Sequence, residues 1–188
     1  MCLIFGMISF LLFLAGDLND AYWQRKWLKP AFLLGFVLLA AATAIVVVTG
    51  FPDSLDPVNI VFLMTAVAFG VLMIWALFFS FPPKQAYVET SAGREAFTGG
   101  MYALCRHPGV IWFCLMYGCL IPGAGFPAVH ALVYCILNIM LAWIEDRFIF
   151  PEVFSNYPEY KRHTPFLIPT RKSVGSWIKS FDKMKERG

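Results

Sequence analysis

Five apolar runs, with cations confined to every second loop between them, constrain this chain more than any other feature. The runs are Met1–Gly16, Ala31–Val48, Ile60–Phe79, Val110–Ile121 and Ala128–Ile144. The second and third are each long enough to cross ~30 Å of hydrocarbon at ~1.5 Å per residue. The fourth is short alone, and it crosses if its helix begins upstream near Gly99 and carries Arg106 and His107 at its polar end. Pro122-Gly123-Ala124-Gly125 reads as a tight turn, which makes runs four and five a helical hairpin. The first run lacks a basic leader and an Ala-x-Ala-like cleavage site, so it reads as a retained span.

The loop after run one holds Arg25, Lys26 and Lys29, whereas Phe51–Pro57 after run two holds Asp53 and Asp56 and no cation. Lys84, Arg94 and Arg106 follow run three, the hairpin turn has none, and the rest follow run five. All 15 Lys and Arg therefore alternate onto one face. The positive-inside rule then puts the N-terminus outside and the C-terminus in the cytosol. A chain that is 59% hydrophobic and 14% charged has more apolar surface than a soluble core of its 188 residues can bury. The expected fold is all-α and integral to a membrane: one domain over 1–188, with about five transmembrane helices. Its net charge of +3 gives no reason to expect a nucleic-acid partner.

The tail expected after run five is cytosolic. Pro151, Pro158, Pro165 and Pro169 prevent a long helix before residue 170. Beyond them Val174, Trp177, Ile178, Phe181 and Met184 recur at helical spacing, with Lys172, Lys179, Lys183 and Lys185 off that face. The segment 171–188 is thus predicted to be an amphipathic helix lying in the interface against membrane lipids. The cysteines (Cys2, Cys105, Cys114, Cys119 and Cys135) have no CxxC spacing and no companion His cluster. Those inside apolar runs behave as small hydrophobes, and no metal is expected.

Ionisable groups at membrane depth are costly, which makes them functional candidates. Arg106-His107-Pro108 enters run four and Glu145-Asp146-Arg147 leaves run five, so the open end of the hairpin brings the two clusters to one level. Beside them lies a tail with Tyr157 and Tyr160. From topology alone, a structural ion pair such as Arg106 with Glu145 competes equally with a binding site. His130 and Asn138 are expected to be structural, Asn138 by bonding a neighbouring helix. A cation–carboxylate–aromatic set at the membrane edge suits a zwitterionic cofactor with an aromatic base. Arg and His would hold a carboxylate, an acid an amine or ribose hydroxyls, and a Tyr face an onium centre. S-adenosylmethionine has these parts. NADPH would want more cations or a Gly-rich phosphate loop, and Gly99-Gly100 is only a pair.

Thr98-Gly99-Gly100-Met101-Tyr102-Ala103-Leu104-Cys105-Arg106-His107-Pro108 resembles the G-x-Y-x-x-x-R-H-P signature of isoprenylcysteine carboxyl methyltransferases and the related phospholipid N-methyltransferases. Glu145-Asp146 stands where that family has a paired acid. The run Phe154-Ser155-Asn156-Tyr157-Pro158-Glu159-Tyr160-Lys161, then Thr164-Pro165 and Ile168-Pro169, resembles the family's tail. The resemblance covers residues 95–170, and residues 1–81 match only as three generic spans. It departs at Val110, where the family usually has an aromatic, at Asp146 in place of Glu, and at Asn156 in place of Gly or Glu.

The resemblance implies a methyltransferase that binds S-adenosylmethionine at the cytosolic membrane face and takes a lipophilic small molecule or lipid from the bilayer. Tyr102, Arg106, His107 and Pro108 would line the cofactor pocket, Glu145 would face them, and Tyr157 and Tyr160 would close it. Glu145 and Arg106 would be the catalytic pair, Glu145 being the base where the acceptor must lose a proton. Two rivals stand beside this reading. Membrane sterol-type NADPH reductases share a similar Arg-(His/Asn)-Pro motif, and a non-catalytic scaffold would use the same charges only to staple the hairpin.

The charge pattern predicts sidedness. In a background lacking the native cysteines, Ser54→Cys should react with an impermeant thiol reagent added from outside, and Ser91→Cys should not. The reverse pattern would overturn the topology.

Overall fold

The computed structural model describes residues 1–79 and 94–185. Lys84 and Ser91, assigned above to the loop after run three, lie outside the described residues. Among the described residues every regular element is a helix. Helix α1 (Cys2–Leu18) runs into a π-turn at Asn19–Trp23, and α2 spans Ala31–Gly50. Helix α3 (Pro57–Ile74) ends in a second π-turn, Trp75–Phe79. A short α4 (Met101–Leu104) precedes α5 (Pro108–Ala124) and α6 (Ala128–Ile144). A third π-turn, Glu145–Ile149, leads into the tail helices α7 (Phe150–Val153), α8 (Tyr157–His163) and α9 (Arg171–Lys185).

Four stretches, Cys2–Trp23, Lys26–Gly50, Pro57–Leu77 and Ala128–Val153, are long and apolar enough to cross a bilayer, and Pro108–Ala124 is a shorter apolar helix. At ~1.5 Å per residue its 17 residues reach about 25 Å. The outer faces of these helices are apolar and open, with Leu11, Leu33, Val61, Met64, Leu132 and Met140 all exposed. An apolar exterior of this extent is stable against lipid and not against water. The protein is an all-α membrane protein.

Helix α5 departs from the sequence expectation at both ends. It begins at Pro108 and not near Gly99, and His107 before it is non-helical at φ −126°, ψ 63°. Proline disfavours helical backbone in the residue before it and fits the first turn of a helix, where no N–H is needed. The freed N–H groups of Arg106 and His107 instead donate to the carbonyls of Pro165 and Phe166, at 2.9 and 3.3 Å. At the other end the helix continues through Pro122 to Ala124, and Gly125 ends it at φ +65°. Glycine takes this left-handed cap without strain. The turn between α5 and α6 is therefore later and shorter than the Pro-Gly-x-Gly run implied.

The bundle pairs α1 with α2 and α3 with α5, while α6 packs on both α5 and α1. Small residues set the close approaches. A side chain at Gly123 would come within 2.8 Å of the Leu63 backbone nitrogen. The core is aromatic: Phe113 meets Tyr117 at 4.6 Å between ring centres and Tyr117 meets Tyr134 at 5.5 Å. Their hydroxyls are satisfied in place, Tyr117 with Thr43 at 2.5 Å and Tyr134 donating to the Cys2 carbonyl at 3.0 Å.

Contacts at the helix ends sort the loops. Asp56 and Asn59 cap α3 reciprocally, and Asn59 Nδ2 also donates to the Pro122 carbonyl at 2.7 Å. The cation-free loops after α2 and α5 thus share one end of the bundle. At the other end Tyr22 donates to the Phe148 carbonyl at 2.7 Å, joining the basic loop after α1 to the start of the tail.

Candidate functional site

The basic end of the bundle is closed by the segments on either side of the hairpin. Cys105 leaves α4 in extended backbone, and the Arg106 side chain that follows enters a ring of acceptors. Its Nε donates to Asp146 Oδ1 at 2.6 Å and its Nη2 to Asp146 Oδ2 at 3.2 Å. Its Nη1 donates to the carbonyls of Lys161, at 3.3 Å, and Thr164. Asp146 in turn accepts from Tyr157 Oη at 2.7 Å and pairs with Lys161 Nζ at 2.7 Å. Both Arg106 and Asp146 are buried. A buried ion pair is tolerated only when further hydrogen bonds complete its shells, and here they do.

The ion pair of the hairpin therefore runs from Arg106 to Asp146, not to Glu145. Glu145 opens the π-turn, and its side chain lines a cavity while the next residue faces Arg106. Wide turns of this kind recur at functional sites because they re-aim a side chain without ending the helix.

The cavity holds about 280 Å³ and extends from this polar layer into the bundle. Tyr102, Arg106, His107, Pro108, Glu145, Tyr157 and Tyr160, the residues singled out by sequence, all lie in its wall. Pro108 does so as the first residue of α5. Tyr102 donates to the Ala76 carbonyl at 3.0 Å, and Tyr160 donates to the Tyr102 carbonyl at 2.6 Å. The Nε, Nη1 and Nη2 atoms of Arg106 all donate within the protein, so its guanidinium acts first as a staple. Asn138 also lines the cavity.

His107 occupies the centre. Its ring stacks on Phe150 at 5.6 Å and 9°, with Phe166 edge-on at 5.1 Å. Nδ1 lies 3.6 Å from Glu145 and Nε2 3.7 Å from Asp146, both beyond ordinary hydrogen-bond length. Burial lowers its pKa against the opposing pull of the Asp146 carboxylate, so the ring is neutral at pH 7. Burial, with the bond to Asp146 beside it, raises the Tyr157 pKa and keeps the phenol a donor. Burial also pushes the Cys105 thiol up to about 11, which removes it as a nucleophile at neutral pH.

Sequence reasoning missed Asp17, which comes from α1 and lines the same cavity. The signal was a carboxylate at the end of an apolar run, where any ionisable group is costly. It also missed Lys161 as the third member of the ion cluster. Among the described residues no group of His, Cys, Asp and Glu is arranged to hold a metal ion. Compared with protein-family models, with curated proteins and with solved structures, the chain has no match.

The ion cluster has a measurable consequence. Asp146→Ala leaves Arg106 buried without its carboxylate, a loss on the scale of ~3–5 kcal/mol. The variant should melt well below wild type in the same detergent. An unchanged melting temperature would mean that the cluster does not hold the basic end together.

Proposed function

We propose that the protein crosses the bilayer five times with its basic end in the cytosol. There it acts as an S-adenosylmethionine-dependent methyltransferase on a lipophilic acceptor. The observation that carries this reading is the two-part lining of one cavity. Its outer wall combines His107, Glu145 and the rings of Tyr102, Tyr157 and Tyr160. Its inner wall is Phe10, Phe13, Phe36, Leu39 and Phe113, set among the membrane-crossing helices. A polar chamber opening onto an apolar tunnel suits a charged donor that meets a greasy acceptor at the membrane edge.

The donor set fits S-adenosylmethionine. Its sulfonium and ammonium suit the Glu145 carboxylate and the tyrosine faces. Neutral His107, with an Nε2 that no protein group satisfies, suits a hydroxyl or carboxylate oxygen. When bound, the cofactor supplies a methyl group on a positively charged sulfur. The protein's own part is to orient the reactants and exclude water from between them. The departures at Val110, Asp146 and Asn156 fall on positions with other work here. Asp146 holds Arg106, and Asn156 hydrogen-bonds both backbone groups of Ala96. Val110 is buried in the cavity wall.

The cations nearest the cavity count against the reductase reading. A nicotinamide cofactor with a 2′-phosphate needs a cation to spare, and Arg106 and Lys161 are both bound to Asp146. The scaffold reading explains the ion cluster and leaves the carboxylate of Glu145 facing a cavity without a purpose.

Thermal shift of the purified protein separates these readings. S-adenosylhomocysteine should raise the melting temperature and NADP⁺ should not. His107→Ala should weaken S-adenosylhomocysteine binding by at least ~1.5 kcal/mol, the scale of a lost charged hydrogen bond. Stabilisation by NADP⁺ instead would favour the reductase, and stabilisation by neither would favour the scaffold.

A further inference from the structure

A ligand that comes to the cavity from water must pass the wall of its polar end, and most of that wall is locked. Arg106, Tyr157 and Lys161 converge on Asp146, and the Pro165 and Phe166 carbonyls tie the tail to the start of α5. Tyr160 is bonded to the Tyr102 carbonyl, and Tyr102 to the Ala76 carbonyl. A strap at 94–97 differs from these. It supplies Ala96 and Phe97 to the cavity wall, yet none of its residues is fully buried, and Arg94 and Glu95 are exposed.

The strap is pinned by the start of the tail. Asn156 Oδ1 accepts the Ala96 N–H at 2.7 Å, and Asn156 Nδ2 donates to the Ala96 carbonyl at 3.0 Å. Beside it the Ser155 N–H donates to the Arg94 carbonyl at 3.0 Å, and the Arg94 guanidinium lies over the Phe154 ring at 5.5 Å. Holding both backbone groups of one residue takes an acceptor and a donor on one side chain, which an amide has. The Gly or Glu usual at this position in the family that the segment resembles could not do it, since one has no side chain and the other only accepts when ionised. These are neutral hydrogen bonds, and they release at far smaller cost than the buried ion cluster beside them. At its other end the strap runs through Gly99 into Gly100, whose φ of +55° glycine adopts without strain. The strap therefore has a latch on one side and a pivot on the other.

We propose that the strap 94–97 is the gate between water and the polar end of the cavity, and that Asn156 is its latch. Latched, Ala96 and Phe97 complete the wall and keep water from the chamber. Released, the strap turns about Gly99 and Gly100 and opens the chamber, while the bonds at Asp146 and the membrane-crossing helices stay as they are. Short segments hinged at element ends are the parts of a fold that admit and then enclose a ligand. The gate admits a water-soluble ligand. That this ligand is S-adenosylmethionine rests on the methyltransferase reading, and the gate itself does not. Asn156 acts through the strap and is a positioning residue: its loss changes passage into the chamber and leaves the polar groups inside it in place.

The test is the reactivity of a cysteine placed inside the chamber. Ala142 is 2% exposed and lines the cavity one helical turn before Glu145. In nanodiscs, and in a background lacking the native cysteines, Ala142→Cys should react slowly with a charged, water-soluble methanethiosulfonate. Adding Asn156→Ala should speed that reaction at least about tenfold, the scale of one or two lost neutral hydrogen bonds. An unchanged rate overturns the proposal. Amide hydrogen exchange, measured with the native cysteines present, reports the latch directly. Asn156→Ala should speed exchange over 94–97 at least about tenfold and leave α8 unchanged. Equal acceleration in α8 would make Asn156 a structural residue and overturn the latch. In wild type the strap should exchange at least about tenfold faster than α8, as a segment that opens by itself does. Equal protection of the two overturns the gate even if no variant can be purified. S-adenosylhomocysteine should slow the reaction of Ala142→Cys. No such protection beside a working gate would remove the methyltransferase reading and leave the gate standing.

Discussion

Arg106 reaches across from the start of the hairpin to Asp146 at its end, and the geometry of the basic end follows from that contact. Removing both charges from water is expensive. The cost is offset by the bonds that converge on the pair: Tyr157 and Lys161 on the carboxylate, the Lys161 and Thr164 carbonyls on the guanidinium. Because these partners come from the tail, the ion pair does more than close the hairpin. It folds the tail back over the helix ends, where the Pro165 and Phe166 carbonyls also take the backbone N–H groups that Pro108 releases. The tail in turn supplies Phe154, Tyr157 and Tyr160 to the cavity wall.

A second consequence is a division of labour between adjacent acids. In a regular helix Glu145 and Asp146 would be separated by ~100° around the axis. Here that separation turns Asp146 towards Arg106 and Glu145 towards the cavity. The first is saturated by donors. The second lines the cavity, whose wall also holds Asp17, with a histidine just out of reach. A saturated acid holds structure, and an unsaturated one beside a cavity is available to a ligand.

Much of this could be read from the sequence, because the bilayer imposes simple rules. Apolar length and the alternation of Lys and Arg locate the helices and sort their loops, and the observed pairing of helix ends agrees with that sorting. The residues around Arg106-His107-Pro108 and Glu145, with the two tyrosines, converge on one cavity. What the sequence hid were properties of three-dimensional register. Whether Arg106 meets Glu145 or Asp146 depends on how the end of α6 is turned about its axis, which leaves no pattern in composition. The start of α5 depends on tail carbonyls far along the chain. Asp17 escaped notice because a single acid at the end of a span looks like an interfacial residue until α1 is packed against α6.

The central claim is that Asp146 holds the fold while Glu145 faces a ligand. The most direct measurement is the melting temperature of Glu145→Gln with and without S-adenosylhomocysteine. Asp146 keeps Arg106 in the variant. The empty variant should therefore melt close to wild type and lose the stabilisation that the ligand confers. A variant that melts well below wild type yet keeps full ligand-induced stabilisation would show that Glu145 is structural, and would contradict the account.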